Sequence, residues 1–73
     1  MSVYEDVVAA SKTYLGPATE AFLNRQCKWH LKKEPAQMTR SDLAELAKWC
    51  EIGGGLVMDK AKATEFANKV KAL

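Results

Sequence analysis

The sequence predicts an all-α fold: a compact bundle of four helices, at about 3–15, 17–33, 40–58 and 60–72, joined by short loops. Three observations carry this. Eleven of the 73 residues are Ala, the best helix former, whereas Val, Ile and Thr together number only ten. Apolar residues recur at i, i+3, i+4 and i+7, not in the alternation of a half-buried strand. Gly, Pro and cap-forming Ser, Thr and Asp fall where those periodic runs begin and end. The length gives one helical domain, 1–73. A core of this size rarely nets more than about 3–5 kcal/mol, so self-association or a metal clip would help it hold.

The first helix starts at Ser2, because Ser2-Val3-Tyr4-Glu5 has the spacing of a capping box. Its stripe is Tyr4, Val7, Val8, Ser11, Tyr14 and Leu15. Gly16 ends it in a left-handed conformation, and Pro17 suits the first turn of the next helix, where its missing N–H is not needed. The second helix runs from Pro17 to about Lys33. Ala18, Phe22 and Trp29 lie along one line, with Leu23, Cys27, His30 and Leu31 beside it. Pro35 stops it, since the residue before a proline avoids the α region.

The third helix opens at Thr39, with Asp42 three residues on, and carries Leu43, Leu46, Ala47 and Cys50 with Trp49 flanking. Gly53-Gly54-Gly55 opposes continuation at about 1 kcal/mol per glycine. Yet the periodicity keeps its phase through Val57, which favours one helix to Met58 whose glycines admit a close neighbour; the alternative is a loop at 53–55. Asp59 caps the fourth helix, with Ala63, Phe66, Ala67, Val70 and Leu73 as its stripe.

With 48% apolar residues, 27% charged and a net charge of +2, the chain is neither disordered nor low-complexity. No apolar run approaches the roughly 18 residues of a membrane span. The opening Met1 to Asp6 is acidic and lacks the basic-then-apolar pattern of a secretory signal. The expectation is a cytoplasmic protein whose two Cys stay reduced, away from any membrane.

Cys27 and His30 sit one helical turn apart, and Cys50 lies on the next helix. A thiolate, an imidazole and a second thiolate suit zinc in a metal or thiol sensor, but the fourth ligand would have to be Glu34, Glu51 or water. The plainer reading is that both Cys fill core volume. A Cys–His nucleophile couple lacks an evident oxyanion hole, and Gly53–Gly55 lacks the strand and Gly-Lys-Ser/Thr of a phosphate loop. No enzyme activity and no cofactor are expected. Arg25, Lys28, Lys32 and Lys33, with Lys12 nearby and Trp29 interleaved, form the footprint of a nucleic-acid binder. Against that stand the slight net charge and Glu34, Glu45, Glu51 and Asp59.

The aromatic content is more telling. A bundle this small has few positions for Trp29, Trp49, Tyr4, Tyr14, Phe22 and Phe66 together. Either the two indoles form the core between the second and third helices, or those left outside make an apolar partner site. The expected function is a non-catalytic interaction or regulatory module. It would bind a partner protein, or itself, through an apolar face containing Trp29 or Trp49 and ringed by Lys28, Lys32, Lys33 and Lys48.

Tyr14-Leu15-Gly16-Pro17, Phe22-Leu23, Arg25-Gln26 and His30-Leu31, with Leu46-Ala47-x-Trp49 and Gly55-Leu56-x-Met58, resemble small all-α accessory domains of bacterial signalling and regulatory proteins. The likeness spans about residues 14 to 70 and is carried by helix punctuation, so it transfers no functional residue. It implies a helical fold and a regulatory role.

Overall fold

Ser2 opens the first helix through the reciprocal bonds its spacing predicts. In the computed structural model, which describes residues 2–73, the Glu5 N–H donates to Ser2 Oγ (3.1 Å) and the Ser2 N–H donates to Glu5 Oε1 (2.9 Å). Met1, the start of the acidic opening run, lies outside the described residues. Helix α1 spans Val3–Leu15 and buries Val7 and Ser11, with Tyr4, Val8, Tyr14 and Leu15 half-buried beside them. Ser11 is tolerated inside because its hydroxyl donates to the Val7 carbonyl at 2.7 Å. Gly16 ends α1 with φ 56° and ψ −131°. The sign of φ is the expected one, but the conformation is not the left-handed helical one. Only Gly reaches it without strain.

The second helix departs from the expected 17–33. A 3₁₀ turn at Gly16–Ala18 leads into α2, Thr19–Gln26, and a π turn at Cys27–Leu31 completes the segment. The Lys32 N–H reaches back five residues to the Cys27 carbonyl, and Lys32 then stops the coil at φ 59° and ψ 38°. One extra residue in the turn rotates the side chains beyond it by about 100° relative to an α-helix. The predicted line therefore breaks at Trp29, which faces solvent while Leu23 and Cys27 are buried; Ala18, in the 3₁₀ turn at the other end, is exposed as well.

Thr39 and Asp42 cap the next element as predicted, the Thr39 N–H donating to Asp42 Oδ2 at 2.8 Å. They do so on a 3₁₀ turn, Arg40–Asp42, before α3 proper at Leu43–Gly54. The helix stops inside the glycine triplet and not at Met58. No neighbour beyond the carbonyls of its own last turn lies near a side chain built at Gly55, so nothing offsets the low helix propensity there. Residues 55–57 form a hydrogen-bonded turn, and Asp59 then caps α4, Lys60–Lys71, accepting from the Lys62 N–H at 2.8 Å.

All these elements are helical, and no strand occurs among the described residues. The four rods foreseen resolve into three regular α-helices of 12 or 13 residues (α1, α3 and α4) and a hybrid segment with only eight α-helical residues. The principal pairing is α3 with α4, and α1 packs on both α2 and α4. Leu46, Cys50 and Gly54 of α3 meet Ala63, Phe66, Ala67 and Val70 of α4 in the core, while Leu73 falls beyond the helix and outside it. Gly54 lets the two backbones close, since a Cβ built there lies 3.4 Å from that of Ala63. Among the described residues, no helix is long and apolar enough to cross a membrane.

Candidate functional site

On its other flank α3 lies against α2, and that seam is open. Ala18, Ala21, Phe22 and Arg25 of the second segment face Trp49, Ile52 and Gly53 of α3, with Leu56 and Val57 from the turn beyond, around a groove of about 510 Å³. Three of these apolar side chains lie largely in solvent: Ile52 at 53%, Leu56 at 86% and Val57 at 65% exposure. The early stop of α3 is what puts Leu56 and Val57 there. Gly53 shapes the floor, because a Cβ at that position would stand 3.1 Å from the Phe22 ring.

The π turn builds one end of the groove. It sets the His30 ring flat on Trp49, with centroids 3.7 Å apart and planes 9° from parallel. Lys48 Nζ lies 5.4 Å from the centroid of the same indole, within cation–π range. Trp49 is half-buried, and its Nε1–H is buried with no acceptor among the described residues. An unpaired buried donor of this kind costs about 1–3 kcal/mol.

The structure thus brings Trp49, Lys48 and His30 together and separates them from the other expected residues. Trp29 is 63% exposed and does not line the groove. Lys28, Lys32 and Lys33 line a different depression with Asn24, Glu34, Pro35 and Gln37, so the four lysines do not encircle one indole. Lys33 is also neutralised by Asp42, 3.0 Å away.

Cys27 and Cys50 are free thiols buried in the core. Burial pushes the Cys27 thiol up, with the charge of Asp42 adding to it. Cys50 is pushed up to about 12 by burial and secondarily by Cys27. Both therefore hold their protons, the opposite of a reactive thiol. His30 meanwhile lies on Trp49, and among the described residues no three His, Cys, Asp or Glu are grouped to hold a metal ion.

Periodicity set Val57 on the stripe of the third helix and gave Ile52 and Leu56 no place. The signal for Leu56 and Val57 was the run Leu56-Val57-Met58 directly after three glycines: large apolar residues where a helix has lost its support. Comparison of the chain with models of protein families, with characterised proteins and with solved structures finds no match in any of the three.

Proposed function

We propose that this chain is a small non-catalytic interaction module that seats an apolar helix of a partner protein between α2 and the end of α3. The observation that carries the reading is the continuity of Ile52, Leu56 and Val57 with the Phe22–Trp49 groove. Contiguous exposed apolar surface beside a concave floor is a recognition feature, and helix-in-groove docking uses anchors at i, i+3, i+4 and i+7. Burying that surface yields about 25 cal/mol per Å² of apolar area before the costs of association. The protonated core thiols favour a packing role for Cys27 and Cys50 over a chemical one.

The test uses a synthetic helical peptide with a leucine stripe and uncharged Gln elsewhere, titrated into the full chain by calorimetry, with sedimentation giving the mass of the chain alone. The reading expects a monomer that binds the peptide, and an Ile52→Asp/Leu56→Asp variant that keeps its melting temperature and loses binding. Equal binding by the two proteins would remove the groove from the function. A dimer that Leu56→Asp dissociates would assign the groove to a second copy.

A further inference from the structure

We propose that the groove selects an acidic amphipathic helix, whose carboxylates beside the apolar stripe pair with Arg25 on one wall and Lys48 by the other. This rests on the docking reading above and adds the chemistry of the occupant. Among the described residues no acidic one lines the groove; its ionisable lining is Arg25 and His30, with Lys48 standing over the Trp49 indole. Neither Arg25 nor Lys48 forms an ion pair among the described residues.

Four of the nine carboxylates are committed to other side chains. Asp6 lies 3.7 Å from Arg40, and Asp42 holds Lys33. Glu51 accepts from Thr64 at 2.9 Å, and Glu65 accepts from the Tyr14 hydroxyl at 2.7 Å. The groove is thus an apolar strip with free cations at its edges and no anion of its own. Complementary charge sets partner choice in such interfaces, since like charges brought together are disfavoured. A second copy docked isologously would bring one cation-edged groove against another, which disfavours self-association here.

The experiment compares three synthetic peptides of about four helical turns with one leucine stripe and Glu, Gln or Lys flanking it. Each is titrated into the full chain at low and raised salt, with the Trp49 indole N–H followed by NMR. The Glu peptide is expected to bind about 3- to 10-fold more tightly than the Gln peptide, an advantage that shrinks with salt. It should shift the Trp49 indole resonance. Arg25→Gln/Lys48→Gln should erase the Glu preference, bringing the Glu and Gln peptides to the same affinity. If the Gln or Lys peptide binds as well as the Glu peptide, the acidic preference is overturned and docking stands. Should no peptide bind, both readings fall, unless the chain is a dimer that Leu56→Asp dissociates, which overturns the acidic partner in favour of a second copy.

Discussion

Helix α3 has two flanks, and they behave differently. Towards α4 it presents Leu46, Cys50 and Gly54, and α4 answers with Ala63, Phe66, Ala67 and Val70 until every one of these is buried. Towards α2 it presents Trp49, Ile52 and Gly53; His30 covers the indole and Phe22 lies against Gly53, but Ile52 stays in solvent with Leu56 and Val57. Both seams use small residues for close approach. The closed one has a partner helix of equal length, twelve residues against twelve, whereas α2 has eight before its turn widens. An apolar flank without a full-length partner in its own chain is what makes the groove, and substitutions on the two sides should separate stability from binding.

The largest effect belongs to the closed seam. Phe66 is fully buried, 5.2 Å from the Tyr14 ring and 6.1 Å from that of Phe22 by centroid. Phe66→Ala should cost about 3–5 kcal/mol, comparable with the whole stability of so small a core. The expected result is a chain largely unfolded at 25 °C by circular dichroism. A folded variant melting only a few degrees lower would mean that the seam repacks.

Next comes alkaline pH. The Cys50 thiol is raised in the fold from an ordinary 9.0 to about 12. Below pH 9 it is neutral both folded and unfolded, and its contribution is fully present. Above pH 9 only the unfolded chain ionises, so stability falls by about 1.4 kcal/mol per pH unit until the folded thiol also titrates. Denaturant melts at pH 7, 9 and 10.5 should show this slope, and Cys50→Ala should make it shallower. Equal slopes would mean that Cys50 titrates freely in the fold.

Much of this architecture was legible because its causes are local. The caps at Ser2, Thr39 and Asp59 depend on residues three apart, and the stripes of α3 and α4 depend on the 3.6-residue repeat. The π turn was not legible. Cys27–Leu31 contains no Gly or Pro, and its cause is tertiary: His30 lies on Trp49 while Leu31 packs against the core. The end of α3 misled for the converse reason, since phase carried the reading past Gly54 where support from neighbouring elements had ended. The groove arises from these two features. Its aromatic centre, Trp49, was expected, whereas its flanks Ile52, Leu56 and Val57 were not.

Asp42 gives a smaller effect, at the junction before α3. Hydrogen bonds from the Thr39 N–H, the Lys33 ammonium and the Thr39 hydroxyl hold its carboxyl below the usual range against a modest burial penalty. Its contribution is therefore present above the ordinary carboxylate pKa and is lost as pH falls towards the folded value. Asp42→Asn should cost about 1 kcal/mol at pH 7 and less at pH 3. Denaturant melts at the two pH values measure this, and a pH-independent loss would place its cause outside the carboxylate charge.

The smallest effect on stability belongs to the open flank, and it is the sharpest contrast with Phe66. Leu56 stands in a turn after Gly54 with most of its surface already in water. Removing it forfeits little burial, so Leu56→Asp should move stability by no more than about 0.5 kcal/mol. The same substitution sets a carboxylate at the lip of a groove lined by Arg25, where it would take up the cation proposed for an acidic partner and repel that partner's carboxylates. Binding of the Glu peptide should then fall more than binding of the Gln peptide, at unchanged melting temperature. A large stability loss would show instead that Leu56 folds back onto the core, and the two flanks of α3 would differ less than their exposure implies.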